Sequence, residues 1–293
     1  MMKKPWTVLS KGLKTLNKKN RKSNFMLTTS NKNIEKGYIN GPNGKVHYWT
    51  IGQGEALLLI HQSSSSAEEY AGMVPYLSNT YQLISFDWPG HGNSDDPDHE
   101  LGVEEYTQSA LAVLDALKIK KCHVLGHHGG ALLAMNIAFL QPERVLTAIL
   151  SGTSGPKTKE ESEAFKNNLP IKRYHEMERD GASMIAMWRR FVQYLPQTET
   201  LQVLIPFLNT LSSKLRPYDA HYGVLGWDRS PALHSLKCPV LLIQGRQDSY
   251  VSRQDQLLDI IPNSKRIVVE EAGAFLFFEK PGKCSEAIQN FIN

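Results

Sequence analysis

Cysteine is scarce in this chain, with three in 293 residues, at Cys122, Cys238 and Cys284. So sparse and odd a set argues against a disulfide framework and shows no metal-type spacing. Free thiols in a reducing compartment, most simply the cytoplasm, are expected. No stretch approaches the roughly 18 consecutive apolar residues of a membrane-spanning helix. No apolar run of the kind that a secretory signal carries is present near the N-terminus, so such a signal is not expected. Acidic side chains are missing altogether from residues 1–30, which hold eight Lys/Arg.

That last absence organises the charge. The net charge of +4 divides into a basic arm and a body with 25 basic and 29 acidic side chains. In the arm Trp6, Leu9, Leu13 and Leu16 recur at three- and four-residue steps with lysines between them, a weak amphipathic-helix pattern. Three readings stand open: a solvated extension, a helix making peripheral contact with an anionic membrane surface, and an organelle transit peptide. The body has no basic stripe with interleaved aromatics, so a nucleic-acid partner is not expected.

What is present reads as an α/β architecture. Hydrophobic residues make up 41% and charged residues 21%, an ordinary globular balance. The Asn43-Gly44 turn separates strands at Gly37–Asn40 and Lys45–Ile51. Ala56–Ile60, Tyr81–Phe86, Cys122–Leu125, Val145–Leu150, Pro239–Ile243 and Arg266–Val269 read as further strands. The wholly apolar ones suit burial on both faces. Helical spacing falls at 67–77, Val103–Leu117, Gly130–Leu140 and Cys284–Phe291. The alternation predicts a doubly wound, mostly parallel eight-stranded sheet. It stops between Pro156 and Leu236, where only helices are read. The expected organisation is a basic extension at 1–30, a core at 31–155 and 237–293, and a helical cap at 156–236 that closes over a pocket and excludes water.

Val124-Leu125-Gly126-His127-His128-Gly129-Gly130 is the most informative stretch. It has the form of a nucleophile elbow, G-x-S-x-G, in which a strand turns sharply into a helix and lifts one side chain out of the backbone. Here that side chain is an imidazole. With it stand Leu57-Leu58-Leu59-Ile60-His61, Phe86-Asp87-Trp88-Pro89-Gly90-His91-Gly92-Asn93-Ser94-Asp95 and Leu241-Leu242-Ile243-Gln244-Gly245-Arg246-Gln247-Asp248. In order and spacing these four segments resemble the α/β-hydrolase superfamily over about residues 35–293. The resemblance implies that His61 begins the oxyanion loop, that the D-x-P-G-H-G-x-S-D loop is retained, and that Asp248 is the catalytic acid.

Two letters depart from the family. His128 stands where the nucleophilic serine belongs. Glu271-Ala272-Gly273-Ala274-Phe275, followed by Glu279-Lys280-Pro281, resembles the G-H-F…E-x-P stretch with Ala274 in place of the catalytic histidine. A serine hydrolase needs a hydroxyl, a base and an orienting acid. Only the acid remains, so the chain resembles an atypical branch that cannot follow the ordinary acyl-serine route. A third difference is Gln62 followed by four serines, where glycine is usual after the histidine.

His128 has four readings. As a general base, it leans toward Asp248, which fixes its tautomer, and presents its free nitrogen to the pocket. As a nucleophile, it forms an acyl-imidazole. As a metal ligand, it joins His61, His127 and Asp248, although this spacing matches no zinc pattern. In a non-catalytic protein it is a neutral ring in a ligand pocket. The base reading accounts for both departures at once. It predicts a hydrolase-fold enzyme for a small, largely apolar ester- or lactone-type carbonyl substrate, without metal or organic cofactor. The backbone N–H groups of Gln62 and Gly129 then hold the oxyanion, and His61, Trp188 and His221 line the substrate site. A cofactor-free lyase, decarboxylase or cyclase and a retired ligand-binding protein are the alternatives. Asp87 and His91 are read as holding their turn, Glu279 as an anchor, and Phe275, Phe277 and Phe278 as core or pocket wall.

Overall fold

The computed structural model describes residues 34–153, 160–161, 163–164, 178–195 and 200–293. The basic arm and part of the expected cap lie outside them. Eight strands form one sheet: β1 (Glu35–Gly41), β2 (Gly44–Ile51), β3 (Glu55–Ile60), β4 (Tyr81–Phe86), β5 (Cys122–His127), β6 (Val145–Ser151), β7 (Val240–Gly245) and β8 (Ser264–Val269). Their order is β1-β2-β4-β3-β5-β6-β7-β8. The β1–β2 and β2–β4 pairs are antiparallel and the other five are parallel.

The hairpin turn lies one residue earlier than the sequence suggests. Gly41 pairs with Gly44, so Pro42 and Asn43 form the loop, and Gly44 opens β2 at a φ of +106° that favours glycine. In the central strands both faces are apolar because both are covered. Leu58, Ile60 and Val124 pack under the helices Val103–Ala116 and Gly129–Leu140. Leu57, Leu59 and Leu125 pack on the other face with Tyr70, Phe277 and Ile288. Each such fully buried side chain contributes about 1.5–3 kcal/mol. The strand β8, at the sheet edge, is only partly covered along most of its length.

Between β6 and β7 the described residues form helices and no strand: Ala182–Tyr194, Thr200–Lys214, Ala220–Leu225 and Ser230–Leu233. Phe191, Val203 and Phe207 of the first two build a small cluster that reaches down to Phe275 in the loop after β8. None of the helices among the described residues is long and apolar enough to cross a membrane. The loops that carry His61, Asp87, His128, Gly152 and Asp248 all leave the carboxyl ends of parallel strands, the edge of such sheets where ligands bind.

Candidate active site

The elbow is built from close backbone approach. β5 ends at His127, and the helix Gly129–Leu140 begins two residues later. His128 between them has φ 49° and ψ −111°, a costly conformation for a residue with a side chain. A Cβ at Gly126 would overlap the carbonyl of Gly130, and one at Gly130 would overlap the carbonyl of Ile60. Both glycines are therefore required for the turn to sit on β3. The His128 N–H donates to Ser151 O at 2.7 Å and ties the elbow to β6.

From this perch the His128 ring reaches Asp248. Its Nε2 stands 2.9 Å from Asp248 Oδ2. The second carboxylate oxygen accepts the Tyr250 N–H at 2.9 Å. Burial alone would raise the Asp248 carboxyl, but the His128 hydrogen bond and charge outweigh it and hold the group below the usual carboxylate range. Because a carboxylate can only accept, His128 carries its proton on Nε2. Among the described residues Nδ1 makes no hydrogen bond, and the side chain remains 22% exposed. The rings of His127 and Tyr250 flank it edge-on at 4.4 and 5.4 Å.

The ring has room because of Gly152, which follows β6. A Cβ there would overlap Cδ2 and Nε2 of His128. Gly152 is itself held, since its N–H donates to Gln244 Oε1 at 2.9 Å and Gln254 Nε2 donates to the same oxygen. No sequence pattern marks Gly152 as part of a site. Only its place at the end of a parallel strand could have signalled it.

The oxyanion loop departs from the sequence expectation by one residue. The Gln62 N–H is not available to a substrate, because it donates to the buried Glu69 carboxylate at 3.1 Å. The N–H next to Gly129 belongs to Ser63. It lies 3.3 Å from the point where a Cβ would stand on residue 129. Neither the Ser63 nor the Gly129 N–H has a partner among the described residues. The Ser63 hydroxyl is buried against the same point and is also without a partner among the described residues. Gln62 Nε2 is buried and likewise has no partner among the described residues.

His61 is likewise reassigned. It is fully buried, with Nδ1 donating to Gln62 O at 2.7 Å and Nε2 accepting the Trp88 N–H at 3.2 Å. Burial pushes its ring below the ordinary histidine value, so it is neutral and both nitrogens are committed. It holds the loop and cannot touch a substrate. His91 is also neutral, pushed by burial to about 3, and binds Pro89 O and the Ser64 N–H. Asp87 accepts from the Ala67 and Asn93 N–H groups and pairs with His47 Nδ1.

The remaining expected residues divide. Trp188 packs edge-on against Phe207 at 5.1 Å, in the cluster that also receives Phe275 and the Ala274 methyl. His221 pairs with Asp219 at 2.8 Å and lies 3.4 Å from Ser64 Oγ, so it abuts the oxyanion loop. Ala274 is bracketed by Glu279, whose Oε1 accepts the Gly273 and Phe275 N–H groups. His127, its ring edge-on to that of His128, pairs with Glu69, both side chains fully buried.

Comparison with known proteins identifies the fold. The model of the alpha/beta hydrolase fold family matches residues 55–281. A curated relative from Acinetobacter baylyi, (E)-2-((N-methylformamido)methylene)succinate hydrolase, is 24% identical over 267 residues, covering 85% of this chain and 95% of its own. The pimeloyl-[acyl-carrier protein] methyl ester esterase of Aeromonas hydrophila is 27% identical over 252 residues, covering 83% and 97%. Among solved structures, a thermophilic esterase from Thermogutta terrifontis superposes with a TM-score of 0.72 at 19% identity, covering 88% and 98%. The match spans most of the chain and the sheet order agrees with it, so this chain belongs to the alpha/beta hydrolase fold family as an enzyme of the hydrolase fold.

Proposed function

We propose that the protein hydrolyses a small, largely apolar ester or lactone by a route that uses no serine nucleophile. His128 acts as general base and Asp248 orients it. One observation carries the reading: His128 Nε2 is 2.9 Å from Asp248 Oδ2, while Nδ1 has no hydrogen-bond partner among the described residues. The names of the relatives, a hydrolase and a methyl ester esterase, support the reaction class.

In this scheme His128 Nδ1 takes a proton from water as the hydroxide oxygen adds to the acyl carbon. The imidazolium is stabilised by Asp248, and the Ser63 and Gly129 N–H groups hold the developing oxyanion. Collapse of the tetrahedral species breaks the acyl–oxygen bond. The Nδ1 proton then passes to the departing alkoxide and restores the neutral ring. Water is consumed, an acid and an alcohol result, and no covalent intermediate forms on the protein.

The test is a panel of esters, lactones and β-keto acids on wild type, His128→Ala and Asp248→Asn. Ester or lactone turnover that both substitutions abolish is the expected result. Turnover surviving in His128→Ala removes the base role. Consumption of β-keto acids alone moves the reading to decarboxylation. Tight binding of an apolar ligand without any turnover makes the protein a binding module.

A further inference from the structure

Glu69 is a carboxylate with no exposure at all, placed on the 3-10 helix Ala67–Met73 behind the oxyanion loop. Burying a carboxylate costs several kcal/mol unless its oxygens are well paired. Both are. Oε2 accepts the Gln62 N–H, and Oε1 takes the Nδ1–H of His127, the residue before the elbow. One side chain therefore joins the two strand ends whose backbone forms the candidate oxyanion site.

The next peptide plane is fixed from its other end. The Gln62 carbonyl accepts from His61 Nδ1 at 2.7 Å and from the Ser65 N–H at 3.1 Å. In a planar trans peptide the C=O and the following N–H point in opposite directions. With Gln62 O held on one side, the Ser63 N–H is turned to the other, toward Gly129. Glu69 clamps the preceding plane through the Gln62 N–H. Together the two clamps leave the Ser63 N–H no freedom to turn away.

We infer that Glu69 is a positioning residue, which through Gln62 and His127 aims the Ser63 N–H at the oxyanion beside Gly129. The inference rests on the reaction proposed above. It goes beyond it by assigning the aim of the donor to a carboxylate that touches no substrate.

The test compares two ligands with the same alkyl chain, a phosphonate monoester, which is a tetrahedral anion, and a neutral methyl ketone. Wild type is expected to prefer the phosphonate. Glu69→Leu removes both of Glu69's own hydrogen bonds, to the Gln62 N–H and to His127 Nδ1, and Glu69→Asp keeps the charge but is one methylene too short to span both partners. Each is expected to weaken phosphonate binding at least about tenfold, with ketone binding unchanged. Glu69→Gln retains an oxygen for the Gln62 N–H and is expected within about threefold of wild type. Simple removal of a negative charge would instead tighten the anion in Glu69→Leu, so the sign of the change discriminates. In turnover, Glu69→Leu is expected to lower kcat about 100-fold with KM held, the size seen for loss of an oxyanion donor. Phosphonate binding preserved in Glu69→Leu or Glu69→Asp overturns the inference. Equal loss of both ligands with a lowered melting temperature, or failure of both variants to fold, also overturns it and makes Glu69 a fold element. A wild type with no preference for the phosphonate removes the proposed reaction itself, and this inference with it.

Discussion

His127 and His128 are neighbours in sequence, and each is paired with a carboxylate, yet the two pairs do opposite things. His127 and Glu69 are both sealed from solvent. His128 keeps 22% of its side chain exposed, although Asp248 beneath it is buried. In the first pair burial pushes the imidazole below its ordinary value, against the pull of Glu69. The neutral ring donates to an ionised carboxylate that His127 holds down against its own desolvation. Every polar atom but His127 Nε2 is thereby spent on holding chain segments. In the second pair one ring nitrogen is spent and the other is left over. A peptide turn of φ 49° separates a structural imidazole from the one proposed as the base.

The comparison can be broken from either side. The largest effect is expected from His128→Ala, which should lower kcat/KM about 10³-fold, within the usual range for a general base, while the melting temperature stays near wild type. His127→Phe should reverse that pattern. It fills the ring volume but leaves a buried carboxylate without its imidazole, and chemical denaturation should show a loss of about 3–5 kcal/mol. Gly152→Ala sharpens the contrast, since its methyl would stand in the His128 ring and nowhere near His127. A fall of about 100-fold in kcat is expected with the fold intact, because displacement of a catalytic group by about an ångström costs that much.

The smallest expected effect is in the pH dependence of stability. His61, His91 and His127 have folded values below the ordinary 6.5, so the unfolded chain binds more protons as pH falls. Their contribution is complete above pH 6.5 and is lost progressively below it. Glu69 and Asp248 are depressed from 4.5 and 3.8, and their contribution is lost at still lower pH. Denaturation midpoints should therefore decline from about pH 6.5 downward and more steeply below about 4.5. In Glu69→Gln the steeper lower part should be shallower, because one depressed carboxylate is gone.

Much of this was legible in the sequence, for physical reasons that vary by region. Tyr81–Phe86 agrees residue for residue, because a short, mostly buried segment between polar Thr80 and Asp87 leaves its boundaries little latitude. The elbow was legible because only glycine tolerates the approach of Gly130 to Ile60 O. The edge strand β8 begins at Ser264, two residues before the expected Arg266, since its polar start lies on a partly covered edge. The oxyanion loop was misplaced by one residue. Peptide orientation there depends on Glu69, a contact that no periodicity encodes. Gly152 went unmarked for a related reason. A glycine's purpose is the atom it makes room for, and that atom belongs to a residue 24 positions away in the chain.

Glu279 still brackets residue 274 by accepting the N–H groups on either side of it, although the residue there is alanine. That backbone position is the one where the resemblance to the family places a histidine. Serine at 128 with histidine at 274 would meet an Asp248 already buried and a loop already shaped. Either exchange alone would strand a hydroxyl without a base, or set two imidazoles against one carboxylate. On the proposed reading, an acyl-serine route and a base-only route differ at two positions of one scaffold, and neither position can be exchanged alone.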